Sequence, residues 1–329
     1  MKKRLLLFSA VFLAVCGTVL AGLKGISGLS ASTRAVGNGE IRFTTDANPG
    51  DSVVIEVKTD GDFTIEGIDY YHPLTDKRWR RYTSKEVVIK GNVTELTLQS
   101  GHVTKLDLTK CPSLAKIDCS SNNLEELDVT KNAKLYWLSC NDNKLYDLDV
   151  KNNTALEMLS LANNAVRSID ISKNRELSMF GIDNNRITSL DFSNNPKLNF
   201  ATIYSNNIKR RAMQKLVKSL PKVEKGFFYV VNEDTEHNVM TKQQVEEAKA
   251  KGWIVGKSNL GFYKGSDDDV KGTISLTTTK AVGETIKVKV NSIGNLDIEG
   301  AKVVSKAGAQ PMQLQLTAQK VTLKGYRGH

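Results

Sequence analysis

Five consecutive segments of 21 residues repeat one pattern between Leu106 and Arg210. The first residues of the five segments are Leu106, Leu127, Leu148, Ile169 and Leu190. A unit this short cannot bury its apolar side chains alone, so it is stable only when it stacks on its neighbours. The repetition therefore predicts a solenoid, in which each segment is one coil and the strands of successive coils form a parallel sheet.

Two further apolar sets keep a fixed offset from the start of each coil. One set is Leu114, Leu135, Leu156, Leu177 and Leu198, and the other is Leu124, Leu145, Val166, Ile187 and Ile208. Because the same offset in stacked coils projects to the same side, we expect these sets and the first residues of the coils to line a continuous core. Cys119 and Cys140 share an inward offset, which predicts small apolar filling, with a disulfide between them as the alternative.

Asparagine occupies two other offsets of the coil. The first set is Asn122, Asn143, Asn164, Asn185 and Asn206, and the second is Asn132, Asn153, Asn174 and Asn195, with Cys111 in its first coil. A buried amide can donate to and accept from backbone groups that a tight turn leaves unpaired. We therefore expect both sets to hold the turns together without a ligand.

The coils follow the pattern L-x-x-L-x-L/C-x-x-N-x-L, with Ile, Val, Phe or Ala at some leucine positions, and residues 135–145 (LYWLSCNDNKL) match it in full. This is the leucine-rich-repeat signature. With its short coil and Cys in place of a core Leu, the region 93–209 resembles internalin J and related bacterial surface proteins. The resemblance implies a cell-surface protein that binds a host or bacterial surface protein or glycan, in cell adhesion, biofilm formation or virulence.

Residues 1–21 have the pattern of a secretory signal peptide, with Lys2, Lys3 and Arg4 before an apolar run that ends near Ala21. A lipoprotein signal at Cys16 is the alternative. The signal predicts export to the cell surface, the outer membrane or the medium. No later apolar run is long enough to span a membrane.

The other boundaries follow from changes of pattern. Residues 22–38 are small and polar, as in a linker, and residues 39–91 alternate as in a small all-β module. The repeats occupy 92–208, a helical C-terminal cap occupies 209–257, and 258–272 form a second linker. Within the cap, Thr241 and Gln244 form a capping box for a helix that stops at Gly252.

Residues 273–329 repeat the first β module 233 residues later. Ile41, Gly50, Gly61 and Ile65 recur as Ile274, Gly283, Gly294 and Ile298. After a one-residue slip, the segment 87–91 (VVIKG) is mirrored by 321–325 (VTLKG). The first copy leads into a half coil at 92–98, whereas the second stops at His329. We interpret the second module as truncated relative to an ancestor with two repeat arrays.

The candidate binding site lies on the predicted concave face of the repeats, because residues next to the inward leucines of a strand must face outward. The position before the second signature leucine holds Lys116, Trp137, Met158, Met179 and Phe200. Tyr136, Tyr204, Asp118, Asn141 and Asp183 complete the predicted ligand-binding set. Four large apolar residues in one column predict an exposed patch typical of a protein-binding site. The alternative is that a flanking module or a second copy covers the column.

Two charged features have competing interpretations. Asp107, Asp128, Asp149, Asp170 and Asp191 form a ladder, for which we expect Thr, Ser and Lys donors, with calcium binding as the alternative. The segment 70–82 mixes bases with aromatic residues, which suits anionic glycans or lipid head groups, or a solvated module edge. A third run, 267–269 (DDD), is interpreted as linker charge, with a metal site as the alternative.

The formal net charge of +10 favours acidic partners, and for an exported protein we do not expect nucleic acid among them. The mature chain has no recognisable constellation of His with Ser, Cys or paired carboxylates, and no phosphate-binding Gly motif. We therefore expect no catalysis, cofactor or metal, and a monomer. The rival hypothesis is a non-adhesive structural or assembly protein of the cell envelope.

Overall fold

The computed structural model of the chain describes residues 38–326, except 71–77, 100, 233–236, 267–269, 278–279, 289–295, 306–311, 317 and 319. The predicted signal peptide, most of the first linker and the charge run at 267–269 lie outside the described residues. The basic and aromatic segment is described only at residue 70 and at 78–82. None of the helices within the described ranges is long and apolar enough to cross a membrane.

Strands dominate the described part of the chain. The N-terminal strands are β1 (Glu40–Thr45), β2 (Ser52–Thr59), β3 (Thr64–Glu66), β4 (Ile68–Tyr70), β5 (Trp79–Tyr82) and β6 (Glu86–Lys90). The strands of the repeats are β7 (Val93–Gln99), β8 (Val103–Lys110), β9 (Lys116–Asp118), β10 (Trp137–Ser139), β11 (Met158–Ser160), β12 (Met179–Gly181) and β13 (Phe200–Thr202). They are followed by α1 (Arg210–Ser219), β14 (Gly226–Val231), α2 (Lys242–Lys249) and β15 (Trp253–Lys257). The last strands are β16 (Val270–Thr277), β17 (Thr285–Val288), β18 (Leu296–Glu299), β19 (Ala301–Ser305), β20 (Met312–Leu316) and β21 (Lys320–Tyr326).

The repeats build the centre of an 11-stranded sheet with the order β15-β14-β13-β12-β11-β10-β9-β7-β2-β5-β4. From β9 to β13 the strands pair in parallel, and paired residues lie 21 positions apart. Trp137 is opposite Met158, and Met158 is opposite Met179. The sequence period is thus the spacing of neighbouring strands, and each coil of a leucine-rich-repeat solenoid contributes one strand.

The core lies behind this sheet. All members of the sets that begin at Leu114 and Leu124 are fully buried, and of the coil-initial residues only Ile169 is partly exposed. Cys119 and Cys140 are buried free thiols with their Sγ atoms 3.5 Å apart. The predicted interior of the coils is therefore confirmed, with the cysteines as apolar filling.

The first asparagine set holds neighbouring coils together as predicted. The Asn143 amide donates to the carbonyls of Cys119 and Cys140, and its Oδ1 accepts from the backbone N–H of Leu124. The same pattern recurs along the set.

For the second asparagine set, the predicted donation to backbone carbonyls is observed, but the predicted acceptance by the side-chain oxygen is wrong. The Asn153 amide donates to the carbonyls of Val129 and Asn132. Within the described structure, however, the Oδ1 atoms of Asn132, Asn153, Asn174 and Asn195 have no hydrogen-bond partner. The cause is local, because backbone amides of this turn already donate to backbone carbonyls, as that of Leu156 does to Asn153.

The N-terminal strands share their hydrogen bonding with the repeats. β2 pairs antiparallel with β7, so β4, β5 and β2 extend the long sheet. β1 pairs antiparallel with β8 inside a second sheet of order β3-β6-β1-β8. The sheets therefore run without a break across the boundary predicted at residues 91 and 92.

The elements after the repeats prolong the long sheet at its other end. β13 pairs in parallel with β14, and β14 with β15. α2 begins with the predicted capping box. The Thr241 hydroxyl accepts from the backbone N–H of Gln244, and the side-chain oxygen of Gln244 accepts from the backbone N–H of Thr241. Between these strands, α1 and α2 occupy the two helical segments that the sequence predicts.

The C-terminal strands have the same order as the N-terminal ones. They form sheets of order β16-β21-β18 and β17-β20-β19, and the corresponding N-terminal order is β1-β6-β3 and β2-β5-β4. In the N-terminal copy Ile89 is opposite both Ile41 and Ile65. In the C-terminal copy Leu323 is opposite both Ile274 and Ile298. The two sets of strands therefore share one pattern of pairing.

Candidate functional site

The candidate site is the outward face of the long sheet, formed by strand residues that alternate with the buried ones. Register places one residue of each strand in a single column. In order, this column contains Glu95, Lys116, Trp137, Met158, Met179, Phe200, Phe227 and Ile254. We call it the outward column. The five predicted members lie on adjacent strands, so the structure brings them together as the period required.

Burial of the outward column differs from the prediction. Met158, Met179 and Phe200 are only 1%, 8% and 5% exposed. The expectation of an exposed apolar patch is therefore wrong for these three residues. Large side chains in register on strands about 4.8 Å apart cover one another. Phe200, for example, has its ring centroid 5.8 Å from that of Tyr229.

The N-terminal end of the column is accessible. Lys116, Trp137 and Tyr136 are each partly exposed. The Lys116 ammonium lies over the Trp137 ring, 5.1 Å from its centroid. One strand further, Lys58 pairs with Glu95 at 2.9 Å. This end therefore brings an indole, a phenol and charged side chains together at one place.

Polar side chains beside the column are already hydrogen-bonded to the protein. Asp118 accepts from the Gln99 amide at 2.8 Å and remains partly exposed. The Oδ1 of Asn141, also partly exposed, accepts from the Ser160 hydroxyl and from the Ala162 backbone amide. These bonds fix the side chains in place, which lowers the entropic cost of binding a ligand.

Buried Asp183 and partly exposed Tyr204 form a pair near the C-terminal end of the face. Asp183 is 8% exposed, and its Oδ1 accepts from the Thr202 hydroxyl at 2.7 Å. Burial raises the pKa of Asp183, although its hydrogen bonds to Thr202 and Tyr204 oppose the rise. Burial and the Asp183 carboxylate also raise the pKa of the Tyr204 phenol. The pair is therefore a structural element of the face.

Replacing Asp183 with Asn is expected to flatten the dependence of stability on pH. Because burial raises the pKa of Asp183 in the folded state above its ordinary range, the carboxyl group is neutral at low pH and its burial does not then reduce stability. The wild type loses stability as pH rises through the folded-state pKa of Asp183. The amide of asparagine cannot ionise, so the variant does not undergo this loss. Urea midpoints measured from about pH 4 to 8 should fall in the wild type and fall less in Asp183→Asn. Equal slopes in the wild type and in Asp183→Asn would contradict this prediction. The control is Glu224→Gln, because Glu224 is exposed.

The aspartate ladder is held by its own turns. Asp107 accepts from the backbone amide and the hydroxyl of Thr109, and Asp128 does the same with Thr130. These hydroxyl bonds, followed by the amide bonds, lower the pKa of both carboxyl groups. The predicted Thr donors are confirmed. Across the described ranges, no three His, Cys, Asp or Glu residues are grouped to hold a metal ion.

A groove of about 520 Å³ runs beside this ladder. Leu106, Leu127 and Leu148 form part of its lining, together with exposed Tyr146. Its acidic lining consists of Asp107, Glu125, Glu126, Asp128, Asp147 and Asp149. The groove is thus strongly acidic on a chain whose formal net charge is +10.

The face extends further than the sequence analysis indicated. Phe227 and Ile254 continue the outward column, and Tyr229 stands opposite Thr202 in the next column. The rings of Phe227 and Tyr229 are stacked, with an interplanar angle of 5°. The strand pattern of residues 226–231 (GFFYVV) was the signal that could have revealed these positions. In this strand Phe228 is buried, whereas Phe227 and Tyr229 are partly exposed. The change of period after the last coil concealed their alignment.

No protein-family model and no curated protein matches this chain. Among solved structures, the functional domain of InlJ from Listeria monocytogenes, described as including a cysteine ladder, is 19% identical with a TM-score of 0.36. That match covers 71% of this chain and 61% of the other. The internalin InlF of the same organism is 17% identical, with a TM-score of 0.38, over 45% of this chain and 43% of the other.

A leucine-rich-repeat protein of Leptospira interrogans is 17% identical with a TM-score of 0.34, and the match covers 43% of this chain and 36% of the other. The chain spans less than two thirds of the length of each of these three structures. The leucine-rich-repeat fold of the chain is defined by its own coils, whose strands pair in parallel at 21-residue spacing.

Proposed function

We propose that this chain is an exported cell-surface protein that binds a protein or glycan ligand through the concave face of its repeats. Attachment to cells or biofilm formation is the proposed role. Export rests on the signal pattern of residues 1–21. The likeness to internalin J rests on the short coil and on Cys119 and Cys140 at a core leucine position. The outward face supplies the binding surface.

Trp137 is the single observation that carries the proposal. Trp137 is partly exposed with the Lys116 ammonium over its ring, and tryptophan is the residue type most enriched among the side chains that dominate binding energy. Tyr136, Asp118 and Asn141 are partly exposed in the same part of the face. An aromatic platform next to fixed hydrogen-bonding groups suits the flat face of a sugar or an aliphatic side chain of a protein.

Trp137→Ala is expected to weaken binding by roughly tenfold to thirtyfold, as loss of an interfacial tryptophan commonly does. The measurement is binding of the labelled chain to host-cell and bacterial surfaces, with circular dichroism to confirm folding. Tyr146→Ala is the matched control, because Tyr146 is 59% exposed and lies outside the outward column.

Phe200→Ala is less suitable as a probe of the surface, because Phe200 is buried and its loss tests packing. Binding that is unchanged in folded Trp137→Ala would remove the site from this face. Absence of binding by the wild type, with envelope leakage in a deletion strain that attaches normally, would instead support the structural rival.

A further inference from the structure

Three exposed basic residues line one side of α1. Arg211, Lys215 and Lys218 are spaced by four and three residues, so their side chains project from the same side of the helix, about 6 and 4.5 Å apart along its axis. Exposed Lys222 follows just beyond the end of the helix. We call these four residues the basic row. From residue 209 to residue 231 the chain has seven basic residues but one acidic residue.

Lys251 adds a cation at the C-terminal end of the basic row. Its ammonium donates to three backbone carbonyls at the end of α1, including that of Lys218. Burial lowers the pKa of Lys251, and the charge of Lys222 lowers it further, whereas Glu247 opposes the shift. Lys222 and Lys251 therefore lie close enough to repel each other.

The basic row does not help the helix to form. Arg211 and Lys215 are like charges at the i,i+4 spacing, and Lys215 and Lys218 are like charges at i,i+3, and both spacings place them close enough to repel. Arg211 also lies in the first turn, which contains no acidic residue, and the helix dipole disfavours a cation there. The arrangement thus has a small cost in stability that something outside the helix can offset.

Acidic residues of the chain do not neutralise the basic row. On the neighbouring helix α2, Lys249 pairs with Glu246. Within the part of the chain that the structure describes, no ion pair involves a member of the basic row. Glu247 of α2 accepts a hydrogen bond from the side chain of Gln214 instead. The four cations are therefore available to an anionic ligand.

The basic row lies on the opposite side of the sheet from the outward column. α1 connects β13 to β14, and because these strands pair in parallel, the connection must cross one face of the sheet. Met213, Leu216 and Val217 of α1 are buried in the core behind the sheet. The exposed side of the helix therefore points away from the outward column, and a ligand there does not depend on the one proposed for the concave face.

We propose that the basic row binds a linear acidic polysaccharide, whose carboxylates lie along α1. Cations spaced by about 4.5 to 6 Å suit a polymer with one carboxylate on each sugar unit. The attraction is electrostatic, so it weakens as salt screens the charges.

Other anionic partners fit the basic row less well. A helix that inserts into a membrane surface needs a free apolar face, and the apolar face of α1 is buried in the core. The centres of protein interfaces carry aromatic or apolar anchors, and single-stranded nucleic acids stack on aromatic rings. The basic row consists of cations only.

The test measures binding of the full chain to polygalacturonate, with neutral dextran as the uncharged polymer. Affinity for polygalacturonate should fall by roughly tenfold or more between about 50 and 200 mM salt. Arg211→Gln/Lys215→Gln should weaken binding by roughly tenfold at low salt. Glutamine forms helices about as well as lysine, and the change removes a like-charge pair. The urea midpoint of this variant should therefore equal or exceed that of the wild type.

Lys134→Gln/Lys144→Gln is the matched control. Both lysines are exposed residues of the repeats, and their replacement removes the same amount of charge. This variant should bind polygalacturonate as the wild type does. Trp137→Ala should also bind normally, because Trp137 belongs to the outward column.

The outcomes separate the proposal from its rivals. Weaker binding in Arg211→Gln/Lys215→Gln alone supports it. No binding at about 1 mM sugar units, equal binding to dextran, or an equal loss in the two double variants overturns it. Loss in Trp137→Ala overturns it as well, because the polymer then occupies the concave face. Tighter binding at the same salt to vesicles of phosphatidylcholine and phosphatidylglycerol, or to duplex DNA, overturns the assignment to a polysaccharide.

Discussion

Phe180→Ala is expected to lower the free energy of unfolding by about 4 kcal/mol. Phe180 is fully buried in the strand of the fourth coil, and its ring meets that of Phe192 edge to face at 5.6 Å. Its inward neighbour on the next strand is Ala201, which cannot expand to fill a void. Truncation therefore removes apolar burial, an aromatic pair and packing density together. Urea unfolding followed by circular dichroism measures the loss.

The control is Tyr146→Ala, because Tyr146 is an aromatic residue that is 59% exposed. Its effect should stay within about 0.5 kcal/mol. A loss below about 1 kcal/mol for Phe180→Ala would mean that the core around the fourth coil collapses to fill the cavity. In a stack of coils the transition should also broaden, because unfolding of the damaged coil uncouples its neighbours.

Asn143→Ala is the second large effect, with an expected loss of about 3 kcal/mol. The side chain donates to the carbonyls of Cys119 and Cys140, and it accepts from the Leu124 amide at 3.0 Å. Alanine leaves the buried Leu124 N–H without its acceptor and removes one of the bonds to each carbonyl, which keep those from Asn122 and Asn164. The same urea experiment measures it.

Asn153→Ala provides the matched comparison. Asn153 is fully buried, and Asn143 is 9% exposed. The Asn153 amide donates two hydrogen bonds, but its Oδ1 accepts none within the described structure. Its loss should be smaller than that of Asn143→Ala by about 1 kcal/mol, the typical worth of one hydrogen bond. Equal losses in the two variants would show that the bond from Leu124 contributes nothing.

Periodicity predicted the repeats well because each offset experiences the same surroundings in every coil. Leu135 and Leu145 could be assigned to the core without knowledge of any contact, and both are fully buried. The duplicated β arrangement was equally visible, since Ile41 and Ile274 occupy equivalent places in their sheets. Local pattern and final environment coincide at these positions.

The pattern failed where burial depends on elements that are distant in sequence. Alternation places Met158 and Met179 on the outward side, but it does not specify how much of each side chain is covered. The pairing of β2 with β7 joins residues about 40 positions apart, and no local signal marks it. For the same reason the accessible part of the candidate site, around Trp137, could not be distinguished from its buried part.

The coil register has a mechanical consequence. The hydrogen bonds that join neighbouring strands from β9 to β13 run along the stack. Tension applied along the stack therefore loads one coil boundary after another. Each coil occupies about 4.8 Å of the stack but holds 21 residues, about 70 Å of extended chain. In the surface-binding role proposed above, a pulled stack lengthens severalfold in discrete steps and dissipates a sudden pull before the bond to the ligand breaks.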